Sequence, residues 1–229
     1  STADTPLICL QHQGTMPPLF CVHPIGGGIT CYQELVRYFG KNHPVYALQA
    51  IDFISTLGHD PSLEELACFY IQHIQGLDPL VPIHLCGWSM GGVIAYEMAR
   101  QLRKMGQHVQ MLTLIDSFLP KEHVRAATTN HDKLLKQFFK NLDHNESIKL
   151  AELSSGTPFL SSSPDEILAA LLDVGLQKKI LPVGMEHFHI KQLWQIFLSL
   201  HHAFTHYVPK PYSGTLQLLQ ASDHGSEMN

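Results

Sequence analysis

An α/β fold, with a mostly parallel sheet flanked by helices, is the architecture this sequence predicts. Three observations carry it. Apolar runs of strand length alternate with helical patterns through residue 116. Residues 109–115 are almost continuously apolar, as a strand covered on both faces requires. The stretch Gly87-Trp88-Ser89-Met90-Gly91 stands between a short apolar run and a helical pattern, which makes it a strand–turn–helix junction.

The bulk properties suit one such domain over residues 1–229. The chain is 45% hydrophobic and 15% charged, enough for a sizeable core and too apolar for a disordered chain. A net charge of -5, with no Lys/Arg cluster, argues against a nucleic-acid partner. No apolar run approaches the roughly 20 residues that span a membrane, so no membrane partner is expected. Five cysteines at 9, 21, 31, 68 and 86 form no C-x-x-C pair, and the first residues lack a basic and an apolar signal region. Reduced thiols and a cytoplasmic location are the expectation.

Taken in order, residues 7–12 and 19–23 read as strands, joined by a hairpin-like link through Gly14 and Pro17-Pro18. Pro24 and Gly26-Gly27-Gly28 follow directly. A helix is predicted over 30–39, with Thr30 as its cap and Tyr32, Leu35, Val36 and Phe39 on one stripe. Residues 45–50 read as the next strand. Ser62 is placed to cap a helix over 63–75, with Glu65 completing a capping box. A strand over 83–88, a helix over 91–105 stopped by Gly106, and the strand over 109–115 complete the alternation. The pattern then changes. Helical periodicity near 131–142, 164–174 and 187–206 predicts a helical lid inserted over 120–206 between two parts of the core, 1–119 and 207–229. A last strand over 215–221 reads as the seventh of the sheet, and the final strand of such a sheet, with the histidine after it, is missing.

G-x-S-x-G at a strand–helix junction nominates Ser89 as a catalytic nucleophile. The spacing has a steric reason. The serine must occupy a tight, strained bend so that its hydroxyl leaves the sheet, and Gly87 and Gly91 remove the Cβ atoms that would crowd it. The helix that follows adds free N–H groups and a positive dipole end. His23-Pro24-Ile25-Gly26-Gly27-Gly28 is a second candidate. Its backbone can approach a substrate oxygen, so the N–H groups of Ile25 and Met90 are the expected oxyanion hole; losing one such donor typically costs about 3 kcal/mol in the transition state. No G-x-x-x-x-G-K-[ST] follows, which argues against a phosphate cradle. Asp116 ends the strand after the Ser89 helix, at the edge where α/β sheets bind ligands, and is placed to orient a histidine.

That histidine is the gap in the pattern. A serine needs a neighbour to take its proton, and hydrolase order puts the base late in the chain. His224 is the last of sixteen histidines and follows the seventh strand, whereas the base follows the eighth. The base is therefore unassigned and expected beyond Asn229, with His224 the candidate within the chain. His23 is expected to be structural, and Trp88 either lines an acyl channel or packs. His202 and His206 stand four apart, the spacing of a metal pair, but no H-E-x-x-H motif supports them and no metal is assigned.

Together "PLFCVHPIGGG", "VYALQA", "HLCGWSMGGVIAYEMARQL", "LTLIDSFLP" and "FTHYVPKPYSGTLQLLQASD" resemble the thioesterase domains of modular polyketide and non-ribosomal peptide synthases, members of the α/β-hydrolase superfamily. The resemblance covers 5–120 and 187–223. It implies that Ser89 takes an acyl chain from the phosphopantetheine arm of an acyl or peptidyl carrier protein, and that the chain leaves by hydrolysis or macrocyclisation. It also implies that Asp116 is the triad carboxylate, one strand earlier than in many hydrolases. The domain itself is expected to hold no cofactor. A fatty-acid-synthase thioesterase, a lipase or carboxylesterase acting on oxygen esters, and a non-catalytic acyl- or carrier-binding module are the alternatives.

Overall fold

The computed structural model describes residues 5–50, 59–75, 82–119 and 187–222, together with helical positions at 134, 135, 137, 138, 166, 169 and 172. Among them the strands are β1 (Leu7–Gln11), β2 (Leu19–Val22), β3 (Val45–Leu48), β4 (Ile83–Trp88), β5 (Val109–Ile115) and β6 (Gln217–Leu219). The helices are α1 (Gln33–Phe39), α2 (Leu63–Gln75), α3 (Met90–Lys104) and α4 (His187–His206). The six strands form one sheet in the order β1-β3-β2-β4-β5-β6. All neighbours run parallel except β1, which lies antiparallel to β3.

Strand alternation divides the core. Phe20, Val22, Leu48, Leu85 and Leu112 point into the larger cluster, shared with α2, α3 and α4. Leu19, Cys21, Val45, Ala47 and Cys86 point to the opposite face and pack with Tyr32 against α1. All five cysteines carry free thiols. Among the described residues no helix is long and apolar enough to cross a membrane.

Three expectations are corrected. The 7–12 and 19–23 strands are not hairpin partners, because β2 is flanked by β3 and β4 and β1 pairs with β3 instead. The link between them crosses the start of β3: Gly14 adopts φ +126°, and a Cβ there would lie 2.2 Å from the carbonyl carbon of Asn42. Thr30 caps no helix. A 3-10 turn over Thr30–Tyr32 precedes α1, and neither has a side-chain cap. The predicted seventh strand is the sixth among the described residues, shortened to Gln217–Leu219 and exposed. The Ser62 box forms as expected, since the Glu65 N–H reaches Ser62 Oγ at 3.2 Å and Glu65 Oε2 accepts the Ser62 N–H at 2.8 Å. Gly106, at φ +78°, follows the last turn of α3, where Gln107 N–H closes on the Leu102 carbonyl at 3.0 Å. Of the expected lid, α4 and the scattered helical positions are described, and the rest lies outside the described residues.

Candidate active site

Two residues other than glycine have positive φ among the described residues, and both were nominated from sequence: Ser89 at +55° and Asp116 at +44°. Such angles cost of order 1–3 kcal/mol and persist only where the surroundings enforce them. For Ser89 the surroundings are the elbow. A Cβ on Gly87 would lie 2.2 Å from the carbonyl of Gly91. A Cβ on Gly91 would lie 2.2 Å from the oxygen of Val22 and 2.6 Å from that of His23. The start of α3 is therefore pressed onto the end of β2, which leads into the Pro24–Gly28 loop. Gly92 has the same need, since a Cβ would meet Ser117 Oγ at 2.0 Å. The motif spacing marks Gly87 and Gly91 but says nothing of this third close approach.

The bend is tied to the neighbouring strand. Trp88 pairs with Ile115, and the Ser89 N–H then donates to the Ile115 carbonyl at 2.8 Å. Ser89 and Asp116 are thus the first residues past a shared pair of strand ends, on the same edge of the sheet, and both are half-buried. Asp116 is held by β6. Its N–H donates to the Leu219 carbonyl at 2.8 Å, and its Oδ1 accepts the Ala221 N–H at 2.6 Å. The carboxylate has one oxygen anchored to the chain that leaves β6.

Pro24–Gly27 is a turn closed by the Gly27 N–H donating to the Pro24 carbonyl at 2.9 Å. Ile25 occupies the second position of the turn, and its N–H takes no part in that bond. Met90, the first residue of α3, likewise has an N–H outside the helical ladder, as all first-turn donors do. Both side chains are buried, with Ile25 7% and Met90 2% exposed, so each backbone is held by its own packing. Gly27, at φ +74°, faces α4: a Cβ there would approach Ile196 Cγ2 at 3.2 Å and Leu200 Cδ1 at 3.5 Å. The helix α4 therefore lies directly on the glycine loop.

His23 is fully buried and both its ring nitrogens are engaged. Nδ1–H donates to the Pro24 carbonyl at 2.7 Å, and Nε2 accepts from the Tyr70 hydroxyl at 2.7 Å. Burial lowers its pKa to about 4. A neutral ring with no free lone pair serves the loop as a brace. Trp88 packs on the smaller core cluster and donates its N–H to the Tyr32 hydroxyl at 2.9 Å, while that hydroxyl donates to the Val22 carbonyl. Tyr32 thus clamps the ends of β2 and β4 together, a function that its place on the stripe predicted over 30–39 did not signal. No hydrogen bond joins Ser89 to a histidine among the described residues, and His224 lies outside them.

A second feature went unread in the sequence. Glu97 on α3 is 1% exposed and accepts hydrogen bonds from Arg100 Nε at 2.7 Å, Gln101 Nε2 at 2.8 Å and the Tyr207 hydroxyl at 2.8 Å. Burial pushes its carboxyl up, but the donors outweigh it and hold the pKa below the ordinary value. This cluster fastens α3 to the residue that follows α4. Periodicity along α3 could not reveal it, because Tyr207 is 110 residues away.

A family model described as a thioesterase domain matches residues 17–203. A dimodular nonribosomal peptide synthase from Bacillus subtilis (strain 168) is 39% identical over 112 residues, covering 49% of this chain and 5% of that protein. A holo four-domain nonribosomal peptide synthetase, AB3403, solved with AMP and glycine, superposes with a TM-score of 0.77 at 29% identity, covering 96% of this chain and 16% of that one. The NocB thioesterase domain, solved in covalent complex with a fluorophosphonate nocardicin G analogue, gives 0.63 at 21% identity, covering 96% of this chain and 78% of that one. This chain spans a small part of the curated relatives it matches.

Proposed function

The chain belongs to the thioesterase domain family, and from that premise we propose that Ser89 is the nucleophile with which it releases an acyl or peptidyl chain. The enzyme is a thioesterase of the α/β-hydrolase fold, of the kind found in peptide and polyketide synthases. The single observation that carries the serine mechanism is the enforced bend at Ser89, φ +55°, stitched to the strand that ends in Asp116.

In this reading the substrate arrives as a thioester on the phosphopantetheine arm of a carrier protein. Ser89 Oγ attacks the carbonyl carbon and loses its proton to a histidine base. The negative oxygen that forms accepts the N–H groups of Ile25 and Met90, which are fixed in place before the reaction and need no reorganisation. Collapse expels the thiol, protonated by the same base, and leaves an acyl ester on Ser89. Water, or a nucleophile within the acyl chain, then attacks that ester, giving hydrolysis or ring closure. Asp116 acts through the base, holding its ring in one tautomer and stabilising the cation. Within this chain His224 is the candidate base, and a histidine beyond Asn229 is the other. His23 is excluded by its two hydrogen bonds.

The test is turnover of an acyl-pantetheine thioester against a p-nitrophenyl ester of the same acid, in this chain and in one extended past Asn229. Thioester turnover abolished by Ser89→Ala supports the assignment. Near-normal turnover by that variant contradicts it, and a large preference for the oxygen ester points to an esterase.

A further inference from the structure

We propose that His202 and His206 form a two-histidine chelate for a borderline divalent transition-metal ion, of the Cu2+, Ni2+ or Zn2+ class, on the exposed side of the last turn of α4. The inference does not depend on the thioesterase mechanism. Spacing alone did not support it; the side-chain geometry adds three points.

Residues four apart in a helix stand one above the other, and here both are exposed, with ring centroids 4.1 Å apart. The rings face one another with a tilt of 32°, so the chelate forms when the His202 ring turns to bring a nitrogen towards the ion held by His206 Nε2. Secondly, the tautomer of His206 is set. Its Nδ1 lies 2.9 Å from the His202 carbonyl, which can only accept, so Nδ1 carries the proton and the Nε2 lone pair is left for a metal. A backbone carbonyl on the second nitrogen is the usual support of a metal-bound histidine, orienting the ring and raising its basicity. Thirdly, the backbone beneath the pair is rigid. Thr205 Oγ1 donates to the His201 carbonyl at 2.9 Å, and the neighbouring Ala203 and Tyr207 are each 2% exposed. The turn that carries both rings is therefore fixed before the ion arrives, and binding has only the two side chains left to order.

Chemistry narrows the ion. Imidazole nitrogens suit copper, nickel and zinc, while magnesium and calcium want oxygen. No group of three histidine, cysteine or carboxylate side chains able to hold a metal occurs among the described residues. Water completes the shell, so the site is exchangeable, unlike a four-ligand structural zinc centre. Tyr207, next along the chain, donates to Glu97 on the nucleophile helix. A metal on this turn would therefore stiffen the end of α4 where it joins α3.

The test is calorimetric titration of the chain with NiCl2 and with ZnCl2, alongside His202→Gln, His206→Gln, and a control carrying His12→Gln and His108→Gln, two exposed histidines far along the sequence. Circular dichroism without metal verifies that each variant is folded. The site predicts that either α4 substitution weakens binding of the tightest equivalent at least tenfold, while the control changes it less than twofold. It also predicts a metal-dependent rise in Tm that both α4 variants lose relative to their own metal-free state. Unchanged affinity in both α4 variants, or an equal loss in the control, overturns the proposal.

Discussion

The elbow around Ser89 lies at the start of α3 and the seam with the end of α4 at its middle, on Glu97, yet the two are held together by opposite means. At the elbow, order comes from missing atoms: Gly87, Gly91 and Gly92 let backbones approach to distances that a Cβ would forbid. At the seam, order comes from added groups, as Glu97 gathers donors from Arg100, Gln101 and Tyr207. The first device is steric, its three glycines lying within six residues of one another although they press on segments as distant as Val22 and Ser117. The second is electrostatic, graded and long-range. Substitutions at the elbow should therefore fail abruptly and affect chemistry, whereas those at the seam should lower stability by increments.

The largest effect is expected beside the elbow. Asp116→Asn should lower turnover by about 10⁴-fold while leaving the fold intact, because an amide sets the wrong tautomer of the base. Steady-state kinetics with a melting curve verifies both halves, and turnover within tenfold of the parent would break the contrast. Gly91→Ala follows. In an open helix that change gains up to about 1 kcal/mol. Here the new Cβ would meet two backbone carbonyls that cannot swing aside, so a loss of about 3 kcal/mol in urea unfolding is expected.

A comparable change is expected from pH. His23 is neutral in the fold, with its pKa lowered from 6.5 to about 4 by burial. Between those values the unfolded chain binds the proton and the folded one does not. Stability from this group is complete above pH 6.5 and is lost as pH falls towards 4, by about 3 kcal/mol in all. A His23→Asn variant, though weaker at neutral pH, should lose that part of the slope. Identical slopes would show that His23 does not titrate on unfolding.

The smallest effect belongs to the seam. Tyr207→Phe removes one of the donors to Glu97 and should cost about 1–2 kcal/mol. The Glu97 carboxyl titrates below its ordinary value, so its contribution is present above about pH 4.5 and fades as pH drops through the lowered pKa. Tyr207→Phe should bring that acid loss to a higher pH. A loss above about 4 kcal/mol, or a fall in kcat at full stability, would erase the distinction between the two regions.

Legibility in the sequence followed the same division. Ser89 and the parallel strands around it could be read because their causes are neighbours in the chain: an apolar run, two glycines at fixed offsets, a helical stripe. Asp116 could be placed at the sheet edge because β5 is apolar to its end. The partner of β1 could not be read, since an alternating strand carries no label for its neighbour and the Gly14–Asn42 crossing unites residues from separate segments. Tyr32 read as a stripe residue, and only assembly brings its hydroxyl to Val22 and Trp88. Glu97 drew no reading at all, because its donor Tyr207 lies 110 residues further along the chain.

The most direct measurement of the central claim is the site of covalent acylation. A fluorophosphonate or a slow acyl thioester is incubated with the chain extended past Asn229, and the adduct is located by peptide mass spectrometry. The account predicts one adduct, on the peptide containing Ser89, absent from Ser89→Ala. An adduct on another residue, or none on Ser89 while thioester is being consumed, would contradict it.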